Sequence, residues 1–416
     1  METEPNFTKT CSKGKKICFF GHFGSTNFGN EITLQTVLYH VRRRLPEAEF
    51  TCICTGPEAL AATQKIETIP ISPTFVKARR LRTWLPGLLG RVFIGIPSEL
   101  SRWLDAFKRL RGADVLIIPG TGLLTDAYGL LGWGPYNLFK WSLAAKLRRC
   151  KLLFVSVGAG PLYSVLGRCF VKSALFMADF RSYRDNASMN YLEGIGFPTN
   201  GDRVYPDLVF SFPEAMIPHN GDKKSKRTVV GLGLMVYAGK YSVAKPRDAI
   251  YQEYLENLVV FARWSLARDY DIRLLIGEAP DCTVPEEFKS LLKSSSGQYD
   301  EERIIDQPAL SIKQLLPQIA ATDIVVATRF HNILLALLFN KPVIAISFHP
   351  KCASLMSQMG LPESCHDINH MNAGKLIEQF QDLEKNAERL KPLIRENVDQ
   401  ARKALDEQYN LIFKML

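Results

Sequence analysis

Hydrophobic and polar positions along the chain alternate between short apolar runs and longer amphipathic stretches. In "KKICFFGHFGSTNFGNEITLQTVLYHVRRRLP", residues 16–20 read as a buried strand. A loop of glycine, serine and asparagine follows, then a helix from about Glu31 to Arg44, stopped by Pro46. "EFTCICTG" is a second strand, and "ADVLIIPGTGLLTD" and "CKLLFVSVGAGPL" are strands running into glycine loops. "DFRSYRDNASMNYLEGIG" reads as a short strand, a loop and a helix ended by glycine, and "RVYPDLVFSFP" closes the first half.

The polar segment "PHNGDKKSKRT" reads as a linker or edge hairpin. Beyond it, "VVGLGLMV" is a strand, residues 248–268 have helical periodicity, and "YDIRLLIGEAPD" is a strand plus loop. "SIKQLLPQIAATDIVVATRFHNILLALLFNKPVIAISF" reads as helix, strand, helix, strand, and the tail from about 373 is helical. Short apolar strands alternating with helices predict α/β architecture with parallel sheets covered on both faces. The division expected is one Rossmann-like domain over 1–220, a second over 221–385, and a C-terminal helix over 386–416. The two domains face a cleft, and ligands in such folds bind at the carboxyl ends of the strands.

A length of 416 residues fits two domains. The formal net charge of +10 admits nucleic acid, an anionic membrane or an acidic substrate as partner. Nine cysteines, without a CxxC pair or zinc spacing, read as reduced thiols of a cytoplasmic protein. The N-terminus "METEPNFTKTCSKGKK" lacks the apolar core of a signal peptide. No uncharged apolar run reaches the ~18–20 residues that span a bilayer. A cytoplasmic protein, peripheral at most to the inner face of the membrane, is expected.

Four post-strand loops are placed to line one cleft. In residues 21–31, glycines allow close backbone approach, and Asn27 and Asn30 suit the cap of the next helix. In residues 119–129, Gly120 and Gly122 suit an anion cradle and Asp126 a proton acceptor. "SVGAGPL" is the third. For each, an ordinary turn is the alternative. In "RSYRDNAS", Arg184 beside Asp185 reads either as a structural ion pair or as a guanidinium fork for a carboxylate or phosphate.

The densest signal is "ATRFHNILLALLFNKPVIAISFHPK". Arg329 and His331 sit at a strand-to-helix turn, where the helix directs its positive end. His349 and Lys351 end the adjacent strand. Four cations so gathered repel one another and lose solvation, and a polyanionic ligand would relieve both costs.

These loops, in this order over roughly residues 17–355, resemble the polysaccharide pyruvyl transferase family. The resemblance is carried by Asn27, Gly29 and Glu31, by Gly120, Gly122 and Asp126, by "SVGAGP", "YRDNAS" and "YPDLVF", and by the Arg-x-His followed by lysine. Two positions depart from the family pattern: Gly29-Asn30-Glu31 stands where glycine-aspartate-glutamate is usual, and Gly120-Thr121-Gly122 where three glycines are common. The resemblance implies two Rossmann-like domains of the GT-B glycosyltransferase type, the first on the acceptor side and the second on the donor side. It implies transfer of pyruvate from phosphoenolpyruvate to sugar hydroxyls as a ketal, in exopolysaccharide or cell-surface polysaccharide biosynthesis. Arg184, Arg329 and His331 would bind the donor and support catalysis, with Lys351 and His349 beside them. No metal or redox cofactor is expected, and His331 would shuttle protons near neutral pH.

Residues 77–111 hold nine lysines and arginines and two acids, interleaved with Trp84, Trp103, Phe93 and leucines. The mixture suits contact with an anionic membrane or a wall for a lipid-linked acceptor, and equally an amphipathic helix pair packed on the first domain. No nucleic-acid module is recognised, so nucleic acid is not expected as a partner. Two rival functions stay open. One is a glycosyltransferase using a nucleotide sugar, with Glu278 and Asp281 as the nearest ribose ligands. The other is a non-catalytic relative that binds saccharide.

Overall fold

A computed structural model describes residues 14–72, 88–126, 134–218, 227–237, 247–295 and 299–416. The side chains of 88–96, 247 and 248 lie outside that description, as do the basic positions 77–87 and most of the polar segment 218–228.

Two wholly parallel sheets form, each built from the apolar runs. The first has seven strands: β1 (Lys16–Gly21), β2 (Glu49–Cys54), β3 (Glu67–Pro70), β4 (Val115–Pro119), β5 (Lys151–Val157), β6 (Phe180–Tyr183) and β7 (Arg203–Val204), in the order β3-β2-β1-β4-β5-β6-β7. The second has six: β8 (Val229–Gly233), β9 (Asp271–Leu275), β10 (Ile304–Asp306), β11 (Ile324–Ala327), β12 (Val343–Ser347) and β13 (Cys365–Asp367), in the order β10-β9-β8-β11-β12-β13. Both orders reverse beside their first strand, which opens a crevice at the carboxyl ends. Every residue of β4, β8 and β11 is buried, as expected for strands covered on both faces.

The helices around the first sheet are α1 (Phe28–Arg44), α2 (Pro57–Gln64), α3 (Leu88–Arg109), α4 (Gly134–Leu147), α5 (Val165–Phe176) and α6 (Asn186–Gly194). Those of the second half are α7 (Arg247–Ala267), α8 (Val284–Ser294), α9 (Ile312–Ala320), α10 (Phe330–Leu338), α11 (Pro350–Gln358), α12 (Ala373–Lys385) and α13 (Ala387–Met415). The first helix begins at Phe28, earlier than its periodicity indicates, because Asn27 caps it: Asn27 Oδ1 accepts from the Asn30 N–H at 3.1 Å. Asn30 is not a cap. It lies inside the helix, and its side-chain amide donates to the His22 carbonyl.

The halves do not hang on a linker alone. One apolar cluster runs from β1 and α1 through Leu208–Phe212 to α9, α10 and α13. The last of these returns to the first sheet, where Tyr409 stacks on His40 at 4.4 Å. Beside it the fully buried Gln408 donates to Ser156 Oγ at 3.0 Å and Ser182 Oγ at 2.7 Å. Ser156 has a left-handed backbone, φ +48°, where β5 shifts register against β6. A non-glycine residue there is costly unless its surroundings over-determine it. The C-terminal helix therefore braces the strand whose end carries the third glycine loop.

Gln408→Leu would strip two buried serine hydroxyls of that partner. Urea denaturation should show a loss of ~1–3 kcal/mol, and an unchanged midpoint would mean the bracing is dispensable.

Candidate active site

The carboxyl ends of the two sheets meet. The loop after β1 forms an antiparallel bridge to the loop after β9 at Asn27 and Glu278, with the Ala279 N–H donating to the Thr26 carbonyl at 3.0 Å. The Asn27 side-chain amide also donates to Glu278. Two residues on, Gly29 lies so close to His331 that a Cβ built there would fall inside the imidazole. Only glycine admits this approach.

The Arg329–His331 turn is organised around the residue between them. The guanidinium of Arg184 stands 5.1 Å from the centre of the Phe330 ring, and Lys351 Nζ stands 5.3 Å from the same centre. Lys351 is also 5.1 Å from the Phe348 ring. Arg184 itself is pressed against Gly158, where a Cβ would come within 2.7 Å of the guanidinium carbon. Burial is the main cause that brings Lys351 down to about 8, and Arg184 and Arg329 add repulsion.

Four free cations are not what results. Arg329 Nε donates to Asp281 Oδ2 at 2.8 Å, one terminal nitrogen to Asp281 Oδ1 at 2.6 Å, and the other lies 3.2 Å from Glu278. Its fork is spent on two carboxylates. His349 is the N-cap of α11, and its Nδ1 accepts from the Lys351 N–H at 3.2 Å. Burial, then Lys351 and Arg184, push it down to about 4. His331 is held well below the usual imidazole range by burial, Lys351 and Arg184, and its buried Nε2 has no hydrogen-bond partner among the described residues. Both histidines are thus neutral at pH 7. The positive charge that is not held by a hydrogen-bonded carboxylate in the same way belongs to Arg184, in longer contact with Asp185 and Asp207, and to Lys351. Lys351 lies in the first turn of a helix, not at a bare strand end.

Arg184 faces two acids without a hydrogen bond to either at Nε: Asp185 at 3.4 Å and Asp207 at 3.7 Å. Asp185 is the N-cap of α6, accepting from the Ser188 N–H at 2.6 Å. Asp207 is buried, its Oδ2 lacks a hydrogen-bond partner among the described residues, and burial raises its pKa against the opposing pull of Arg184. It neutralises Arg184 poorly at that distance.

The first-domain loops divide. Glu31 accepts from the Gly24 N–H at 2.8 Å, and burial raises it to about 7. Asp126 is not a proton acceptor for a bound hydroxyl. Its carboxylate takes the N–H groups of Tyr163 and Ser164 at 2.7 and 2.9 Å and the Ser164 hydroxyl at 2.8 Å, which lowers its pKa and ties two loops together. Gly120 packs toward Leu208 and Thr33, while the Cβ position of Gly122 is open space. Glu278 and Asp281 are engaged with Arg329 rather than presented for a ribose.

Sequence reasoning passed over Phe330, Asp207 and the fully buried Asn332, whose amide has no hydrogen-bond partner among the described residues. Phe330 is the variable position of the Arg-x-His pattern, and Asp207 lies inside "YPDLVF", so the only available signal was their place within quoted motifs.

A family model described as polysaccharide pyruvyl transferase matches residues 27–350. The amylovoran biosynthesis protein AmsJ of Erwinia amylovora is 20% identical over 325 residues, 74% of each chain. Among solved structures, UDP-GlcNAc 2-epimerase from Neisseria meningitidis superposes with a TM-score of 0.59 at 12% identity, over 96% of this chain and all of that one. A glycosyltransferase from Rickettsia africae gives 0.58 at 11%, over 97% and 99%. These neighbours share the fold, two Rossmann-like domains of the GT-B type.

Glu31 carries a pH signature. Its folded pKa, about 7, lies above the ordinary glutamate value of 4.5. Between those values the folded state binds more protons, so its destabilising contribution grows as pH rises and is complete above 7. Relative to Glu31→Gln, the wild type should lose stability from pH 4.5 to 7. Parallel denaturation curves across that window would contradict the burial argument.

Proposed function

The chain belongs to the polysaccharide pyruvyl transferase family, and from that premise we propose that it moves the pyruvyl group of phosphoenolpyruvate onto two hydroxyls of a saccharide as a ketal. The observation that carries this reading is the pair Arg184 and Lys351, both in cation–π contact with one phenyl ring, beside a neutral His331 with an unpartnered buried Nε2.

Phosphoenolpyruvate presents a carboxylate and a phosphate on three carbons. Arg184 offers the planar fork that suits either group, and Lys351 a compact charge for the other. Arg329, neutralised by Asp281 and Glu278, positions the turn that carries Phe330 and His331. Protonation of the vinyl carbon makes the methyl group and develops positive charge at the adjacent carbon. One sugar hydroxyl attacks that carbon; phosphate leaves with the electrons of the C–O bond; the second hydroxyl closes the ring. Two hydroxyl protons are released, one ending on the methyl and one on the phosphate.

His331 suits the proton traffic because it starts neutral. It accepts from the attacking hydroxyl, and the imidazolium so formed, repelled by Lys351 and Arg184, returns its proton readily. A phosphate dianion alongside raises its basicity during the reaction. Glu31, also protonated in part near pH 7, stands on the acceptor side with Asn27 and Gly29.

Two measurements test the reading. In a thermal-shift panel, phosphoenolpyruvate at a hundredfold excess over Kd should add ~2.7 kcal/mol of stability, and Arg184→Ala should abolish the shift. A shift with a nucleotide sugar and none with phosphoenolpyruvate would replace pyruvyl transfer by glycosyl transfer. Once an acceptor is in hand, His331→Ala should lower kcat by ~10²–10⁴ with little change in KM. Near-normal turnover would remove His331 from the chemistry.

A further inference from the structure

The first domain carries an apolar and basic face that the proposed reaction leaves unused. Helices α3, α4 and α5 lie side by side over one face of the first sheet. Their outer surface is joined by aromatic rings: Trp103 of α3 meets Phe139 of α4 at 6.3 Å, and Phe139 meets Phe170 of α5 at 5.3 Å. At both ends of this ladder aliphatic side chains stand in solvent. Leu100 and Leu104 are 63% and 56% exposed, and Val165 and Leu166 are 73% and 59% exposed. Leu100, Trp103 and Leu104 share one helical stripe, as do Leu166 and Phe170. Scattered surface leucines need no explanation, but a continuous band across three helices does.

Charge identifies what covers the band. The three helices hold eight lysines and arginines against two acids. Both acids are already in ion pairs: Glu99 with Arg102 and Lys140, and Asp105 with Arg109. Lys108 and Arg168 remain exposed on the outer helices. A second copy of the same face would set these like charges against each other, whereas an anionic bilayer answers both the charge and the exposed aliphatic groups. The half-buried Trp103, its indole N–H satisfied by Tyr136 Oη at 2.8 Å, suits the headgroup boundary.

We propose that this face docks peripherally on an anionic lipid surface, with Leu100, Leu104, Val165 and Leu166 entering the headgroup layer. The contact stands beside the catalytic cleft, because one loop runs from Gly158, pressed on Arg184, through the exposed Tyr163 to Val165 and Leu166 in the first turn of α5. Among the described residues no helix is long and apolar enough to cross a membrane, so the contact is interfacial. If the pyruvyl-transfer reading holds, such docking presents the cleft to a saccharide carried on a lipid.

Co-sedimentation of the full chain with phosphatidylglycerol-containing vesicles tests the surface without donor or acceptor, so its outcome is separate from that of the proposed reaction. Binding is expected, weakened by salt and far weaker to pure phosphatidylcholine. Lys108→Glu with Arg168→Glu should reduce it roughly tenfold or more, and Leu100→Ser with Leu104→Ser should reduce it by a similar factor. These positions are exposed, and an unchanged melting temperature in each double variant confirms intact folding. Failure of the wild type to bind, equal binding to neutral vesicles, or wild-type affinity in both variants would overturn the proposal. So would self-association of the free protein that the leucine variants abolish, since the band would then be an interface between copies.

Discussion

Holding Arg184 and Lys351 against a single phenyl ring, with only the longer contacts of Arg184 to Asp185 and Asp207 to offset their charge, is the constraint on which the cleft depends. Phe330 supplies a quadrupole that attracts both cations. That attraction does not replace solvent, and the lowered pKa of Lys351 registers the deficit. The two imidazoles nearby remain neutral chiefly because burial disfavours their charged form, with repulsion from Lys351 and Arg184 adding to it. On the proposed reading, receiving a small polyanion and keeping a neutral base beside it both follow from one electrostatic arrangement.

Such an arrangement needs rigid support, and it comes from several directions. Asp281, fully buried, holds the Arg329 fork and also accepts from the Val236 N–H at 3.0 Å, so β8 and β11 are tied through one carboxylate. Gly29 and Asn27 bring the first domain onto the same turn. At the back, Gln408 fixes the irregular end of β5, from which the chain continues to Gly158 and its contact with Arg184. Loosening any of these would let the cations relax toward solvent, where they would bind a ligand less strongly.

The alternation of apolar runs made both parallel sheets legible in the sequence, because strands covered on two faces must be apolar throughout. The Arg-x-His turn was legible for the same reason: charge next to a buried strand has few bland explanations. What pattern reasoning could not see was who neutralises whom. Asp281 and Glu278 lie about fifty residues before Arg329, on another strand's loop, and only folding brings them into contact. Likewise Asp126 looks from sequence like a free carboxylate in a glycine loop, and only the neighbouring β5 loop shows that its oxygens are occupied. The start of α11 was hidden because Pro350 and Lys351 read as the end of a strand, although proline is well suited to the first helical position.

Once Glu278 and Asp281 are assigned to Arg329, the nucleotide-sugar reading loses its sequence support, although the fold itself is shared with proteins that handle such substrates. A ribose needs an acceptor carboxylate with a free lone pair facing the cleft, and the burial of Asp281 denies it that role. A three-carbon polyanion needs the opposite: cations with charge to spare and a neutral base close by. On the proposed reading Arg184, Lys351 and His331 fill that requirement together; of the two acids facing Arg184, Asp185 at 3.4 Å caps α6 and Asp207 at 3.7 Å has its ionisation discouraged by burial. On the proposed reading it is the distribution of paired and unpaired charge, more than the presence of any single residue type, that distinguishes the two chemistries on this fold.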